Sequence, residues 1–155
     1  MIDFDTLIKF ATESNAIEGI SGLTANTVHA YALERLLSIN RILIMADVDE
    51  FVHKIQPNAK LRNLPGLDVR VGNHIPPSGG SYVMEEFIEL LRAISTDWMS
   101  PFIAHRAYET LHPYTDGNGR SGRALWLWQM HRFHKYQGQL LFLHQWYYQS
   151  LENSR

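Results

Sequence analysis

Apolar residues in this chain recur at three- and four-residue intervals over most of its length, and that spacing restricts the fold to packed helices. Phe4, Leu7, Ile8 and Ala11 follow the i, i+3, i+4, i+7 rule, and Gly19 supplies a stop after Glu18. Thr24 reads as the cap of a second helix carrying Val28, Tyr31, Ala32 and Leu36. A third helix is expected from Ile39 to Ile55, with Ile39, Ile42, Leu43 and Ala46 on one face and Pro57 just past its end. Phe87, Leu90, Leu91 and Ile94 mark a fourth. Ser100-Pro101, a capping hydroxyl before a proline at the first helical position, opens a fifth with Ala104, Ala107, Tyr108 and Leu111. Two more are expected: Ala124 to Lys135, around Leu125, Trp128 and Phe133, and Gln139 to Leu151, which carries Phe142, Trp146, Tyr147 and Tyr148.

One stretch breaks the pattern. From Gln56 to Ser81 the helical spacing gives way to the alternating run Leu67-Asp68-Val69-Arg70-Val71, then Gly72-Asn73 and His74-Ile75, closed by Pro76-Pro77-Ser78-Gly79-Gly80. Two short extended pieces around a Gly-Asn pair read as a β-hairpin. The expected fold class is therefore all-α, a helical bundle with one short β-hairpin. No internal repeat, low-complexity tract or second domain interrupts the 155 residues.

Composition removes several function classes. A net charge of −2 leaves no basic footprint for nucleic acid. The absence of cysteine excludes disulfides, thiol catalysis and thiolate metal sites. The N-terminus, Met1-Ile2-Asp3-Phe4-Asp5, is acidic where a secretory signal is basic, and no apolar run reaches membrane-spanning length. A cytoplasmic protein with neither nucleic-acid nor membrane partners is expected, its oligomeric state left open.

The chemistry concentrates in Asp116-Gly117-Asn118-Gly119-Arg120, between two helices and at the start of the second. Unpaired amides there, with the positive end of the helix dipole, make an anion site. Gly117 and Gly119 let successive N–H groups point at one phosphate. Arg120 and Arg123, three apart, are placed for both forks to reach the same polyphosphate. Asp116 adds a hard oxygen suited to Mg²⁺, which usually keeps several waters and bridges substrate phosphates. His112, at the other lip, has a side chain suited to a general base. Base, metal ligand, anion nest and charge clamp are the parts for transfer at a phosphorus atom.

Other readings of these residues fail on spacing. Aligned as a calcium loop, DGNG puts Tyr114 at position 1 and Leu125 at position 12, where carboxylates are needed. No P-loop signature is present. His131 and His134 have no third ligand at usable spacing for zinc, and His105 reads as a packed helix residue. Trp126 and Trp128 read as core, with Tyr147 or Tyr148 as candidate surface anchors for a partner.

His112-Pro113-Tyr114-Thr115-Asp116-Gly117-Asn118-Gly119-Arg120-Ser121-Gly122-Arg123 resembles the Fic motif, HPFx[DE]GNGRxxR, with Tyr114 in place of the commoner Phe. The resemblance extends to the hairpin and to Pro101, Ala104 and His105. It implies a single Fic domain over residues 1–155, with a catalytic helix-loop-helix at 101–135 and a flap at 64–77. It also implies transfer of AMP from ATP, with Mg²⁺, to a Ser, Thr or Tyr hydroxyl of a target protein, with release of pyrophosphate. His112 would then deprotonate the hydroxyl and Asp116 would hold Mg²⁺. Gly117, Asn118 and Gly119 would form the anion nest, and Arg120 and Arg123 would steady the outer phosphates. Related Doc proteins phosphorylate instead and carry lysine at the position of Gly119. The flap residues Val69, Arg70, Val71, His74 and Ile75 would dock a target segment by strand addition; a small structural hairpin is the plainer alternative. Exposed Tyr or Ser side chains offer self-modification as a further outlet.

Ser14-Asn15-Ala16-Ile17-Glu18-Gly19 resembles the Fic inhibitory motif [ST]xxxE[GN]. By that resemblance residues 1–23 form an inhibitory helix in which Ser14, Glu18 and Gly19 matter. Glu18 would pair with Arg123 where the γ-phosphate belongs, competing for the same fork. Removal of AMP, with Glu18 activating water, and nucleotide sensing without turnover stay open as alternatives.

Overall fold

The computed structural model describes residues 1–134. They form six helices: α1 (Phe4–Ile17), α2 (Leu23–Leu37), α3 (Met45–Ile55), α4 (Ser81–Ser95), α5 (Pro101–Leu111) and α6 (Asn118–Phe133). The helix expected from Gln139 to Leu151 lies outside the described residues. No helix among the described residues is long and apolar enough to cross a membrane.

The end of α1 is fixed by local chemistry. Asp3 caps its start by accepting from the Thr6 amide at 2.8 Å. At its other end Gly19 takes φ +72, and the Gly19 and Ile20 amides bond back to Ala16 and Asn15 carbonyls. That is the Schellman arrangement, and it leaves Glu18 as the cap residue of a sharply ended helix. α2 begins one residue before the expected Thr24 cap, with Gly22 at the cap position, and two of its expected core residues, Val28 and Tyr31, are exposed. His29, Ala30 and Leu33 are buried alongside Ala32 and Leu36.

α3 is the largest departure. It starts at Met45 rather than Ile39, because the Asp47 carboxylate takes the Ile44 amide at 2.9 Å and both forks of Arg41 at 2.8 Å. That capping arrangement stops the helix from extending backward. Ile42 and Ala46 consequently face solvent, and Val48, Phe51 and Val52 enter the core in their place.

Ser100 and Pro101 open α5 as expected, although the Ser100 hydroxyl makes no capping bond. α6 starts at Asn118, six residues before the expected Ala124, so the motif's glycines and arginines lie within its first turns. Every residue from Arg120 to Gln129 is buried, whereas Phe133 is exposed. α6 is thus the central post: it touches α1, α2, α3, α4 and α5. Gly122 allows the α5–α6 approach, since a Cβ there would overlap Glu109 Oε1 and lie 2.9 Å from the Tyr108 ring.

The non-helical stretch is strapped to the loop before α6. The Thr115 amide donates to the Lys60 carbonyl at 2.9 Å, the Lys60 amide to Thr115 Oγ1 at 2.9 Å, and the Arg62 amide to the Pro113 carbonyl at 2.9 Å. The expected hairpin contracts to one antiparallel bridge, Val71 with His74, around Gly72 at φ +58. Glycine at the first central position of a two-residue turn suits that backbone.

Candidate functional site

The site is one loop between two helix ends. α5 stops at His112, which stands at φ 53, ψ 63, an unusual conformation for a residue with a side chain. Its amide bonds to the Tyr108 carbonyl at 2.8 Å, and Pro113 prevents the helix from continuing. A non-glycine residue held there costs roughly 1–3 kcal/mol, which the surrounding contacts must offset.

Asn118 is the internal brace of the loop. Its Oδ1 accepts from the Tyr114 amide at 2.9 Å, and its Nδ2 donates to the Tyr114 carbonyl at 2.8 Å. Tyr114, where the family motif usually has Phe, is fully buried and meets Phe87 edge-on at 6.0 Å. Burial pushes its phenol far above the ordinary range, with the Tyr108 and Asp49 charges adding to the shift, so it stays neutral. Gly117 opens α6 at φ +79, and Ser121 Oγ returns to its carbonyl at 2.8 Å. Asp116 is exposed and spends one carboxylate oxygen on the Gly117 amide at 2.7 Å.

Glu18 lies against this helix start. Its Oε1 sits so close to Gly119 that any side chain there would overlap it. The same oxygen accepts from Arg123 at 2.8 Å. Arg123 is completely buried, and Ser14 holds it twice, through Oγ at 2.8 Å and its carbonyl at 2.9 Å. Ser14, Glu18, Gly119 and Arg123 therefore form one cluster, and Gly19 sets the turn that directs the chain away from it.

The two arginines do not converge as expected. Arg120 donates to the Ile55 carbonyl at 3.2 Å and to Gln56 Oε1 at 2.9 Å, so it holds the end of α3 instead of facing Arg123's partners. Burial lowers its pKa, partly opposed by Glu18 and Asp116, with Arg123 adding to the lowering. Mutual repulsion and separate carbonyl and carboxylate partners account for the divergence.

The flap residues meet the loop through one contact: His74 Nε2 lies 2.9 Å from the Thr110 carbonyl of α5. Arg70 Nε donates to the Gly72 carbonyl at 2.8 Å, Val69 is half-buried, and Ile75 is exposed. Val71 and His74 pair with each other, while the backbones of Asp68, Val69 and Arg70 make no hydrogen bond among the described residues. A cleft of 640 Å³ lies elsewhere, between α4 and α5, lined in part by Tyr82, Trp98 and Ile103.

Two buried residues escaped sequence reasoning. His29 bonds through Nδ1 to Asn15 Oδ1 at 2.8 Å, and Asn15 in turn donates to Asn26 at 2.9 Å, tying α1 to α2. Burial, then the charges of Arg120 and Arg123, lower its pKa to about 3. Arg62 is wholly buried beside His112. A histidine and an arginine at unpatterned positions carried no signal of either role.

The site can hold an anion at the start of α6, present a histidine at the loop's other end, and offer one exposed carboxylate between them. A family model for the Fic/DOC family matches residues 30–130. Over 63 residues the chain is 41% identical to "Protein adenylyltransferase Fic" of Culex quinquefasciatus, an overlap covering 37% of this chain and 13% of that relative's length. The α1 residues Ser14 and Glu18 precede the matched span. With its loop, its central helix and two thirds of its length accounted for by one family model, this chain belongs to the Fic/DOC family.

Proposed function

We propose that this chain is a protein adenylyltransferase that moves AMP from ATP to a Ser, Thr or Tyr hydroxyl of a target protein, and that Glu18 holds it at rest. The observation that carries the reading is the loop itself: a histidine fixed at the end of α5 faces the amide-bearing start of α6 across residues 113–117. In the reaction the hydroxyl oxygen forms a bond to the α-phosphorus, the bond to the bridging oxygen breaks, and pyrophosphate leaves. His112 takes the hydroxyl proton. The Gly117 to Arg120 helix start receives phosphate oxygens, and Arg123 is the cation for the outermost phosphate.

Asp116 fits a Mg²⁺ ion bound chiefly by substrate phosphates and water, because it is exposed and has a carboxylate oxygen not used by Gly117. Such an ion would neutralise developing charge on the phosphates. Arg120 serves to brace α3 against the loop. In the resting state Glu18 occupies the guanidinium that the γ-phosphate needs, and Ser14 keeps that guanidinium in place. The part of the flap backbone without hydrogen bonds, Asp68 to Arg70, offers an edge for a target segment. The chain spans about an eighth of the curated relative it matches, so activity, target and partners are those of this region alone.

The test uses ATP labelled at the α- or the γ-phosphate with wild type, Glu18→Gly and His112→Ala. Label from the α-position should appear on protein, increase in Glu18→Gly and vanish in His112→Ala. Transfer from the γ-position would overturn the AMP assignment. The Glu18 carboxylate is part-exposed beside Gly119, which favours removal of AMP as the second reading. Glu18-dependent stripping of AMP from a modified target would put that reading first, and ATP binding without any transfer would favour a sensor.

A further inference from the structure

Arg62 is a fully buried arginine in a stretch with no regular secondary structure, and it makes no ion pair among the described residues. Its guanidinium bonds instead to four backbone carbonyls. Nε donates to His112 at 2.7 Å and Nη2 to Leu111 at 2.9 Å. Nη1 donates to Pro77 at 2.7 Å and to Leu67 at 3.2 Å. Four of the five guanidinium donors are thereby used, in a planar fork that no other side chain reproduces.

The acceptors fall into two groups. Leu111 and His112 are the last carbonyls of α5, which lack intrahelical partners and sit at the negative end of the helix dipole. Leu67 and Pro77 are the two feet of the excursion that carries the Val71–His74 bridge. The backbone of Arg62 strengthens the junction, with its amide on Pro113 at 2.9 Å and its carbonyl accepting from Gly80 at 3.0 Å. Burial lowers the pKa of Arg62, and the nearby Asp68 charge works against that shift; Asp68 itself takes the Gly79 amide at 2.9 Å. Holding a cation away from water is costly, and four carbonyls repay it only while all four remain in position.

We propose that Arg62 is a positioning residue that holds His112 and the flap in one fixed register, through carbonyls on which both rest. The inference relies on the reading of His112 as the base. It gives the flap a second task besides target docking: a shift at either foot is transmitted through one guanidinium to the backbone of His112. Lysine keeps the charge but not the fork, and cannot bridge the two groups.

The experiment compares Arg62→Lys and Arg62→Gln with their Glu18→Gly parent. Three readouts are followed: α-label transfer, binding of ATP by calorimetry, and the His112 imidazole signal in histidine-labelled NMR spectra, assigned by its loss in His112→Ala. The expected result is a folded protein with ATP affinity retained and transfer reduced about tenfold to a hundredfold in kcat, as for a misplaced reacting group. The His112 signal should shift and titrate at a different pH. Full transfer in Arg62→Lys with an unmoved His112 signal would overturn the proposal. So would unfolding of both variants, which would reduce Arg62 to a group that merely stabilises the fold. If the Glu18→Gly parent transfers no α-label, the adenylyltransferase reading fails, and the NMR signal still decides the role of Arg62.

Discussion

A methyl group on Gly119 would overlap Glu18 Oε1 and approach an Arg123 guanidinium nitrogen to 3.1 Å. Gly119→Ala should therefore destabilise the wild-type protein by about 1–3 kcal/mol, the usual range for overpacking. In the Glu18→Gly background the obstruction is gone, and alanine gains about 1 kcal/mol of helix propensity over glycine. Urea unfolding of the four proteins in that cycle measures the coupling directly; equal effects of Gly119→Ala in both backgrounds would show that the carboxylate does not occupy this place in solution. At this scale the sequence was unusually informative. The family resemblance implied a Glu18–Arg123 pair, and the two side chains meet at 2.8 Å. It was silent on Arg120, whose partners Ile55 and Gln56 lie more than sixty residues upstream with no shared pattern. It also treated Asn118 as part of the anion nest, whereas its side chain is committed to the Tyr114 backbone.

Among the elements, α1 is the one whose attachment depends on a buried polar chain, Asn26 to Asn15 to His29. His29 ordinarily titrates near 6.5 and is lowered to about 3 here by burial and by Arg120 and Arg123. The unfolded chain binds the proton that folded His29 refuses, so this residue makes stability fall as pH drops from 6.5 toward 3. The loss approaches roughly 1.4 kcal/mol per pH unit within that window. Urea titrations at several pH values should show this slope, and His29→Gln should flatten it; an unchanged slope in the variant would assign the acid sensitivity elsewhere. Helix existence was legible because apolar spacing reports burial. Helix starts were less so: α3 was placed six residues early, since Ile39 to Leu43 mimic a helical face while Asp47 and Arg41 fix the true boundary. Tyr31 misled similarly, being apolar enough to suggest core yet exposed and stacked on Phe4 at 4.7 Å.

For the molecule as a whole, α6 sets the distances between the other five helices, and its closest neighbour is α5 at Gly122. Gly122→Ala should lower stability by about 1–3 kcal/mol, because Glu109 and Tyr108 border the space that a Cβ would need. Denaturant midpoints check this, and a neutral result would mean that the α5–α6 pair can separate without cost. The bundle was readable from sequence, but the strap was not. Residues 59–62 are too few and too irregular to show a period, and their partners at Pro113 to Thr115 lie about fifty residues away.

Those separations also order events in time. The strap closes a loop of 55 residues, and the Glu18–Arg123 contact one of 105. A longer loop adds only about 0.6 kcal/mol of closure entropy per doubling, so the second contact is hardly more difficult to form than the first. During synthesis from the N-terminus, α1 and α2 are available to pack before α6 has been made. Arg123 therefore enters a molecule in which its carboxylate partner is already present, and the nascent protein meets its brake before its active site is complete.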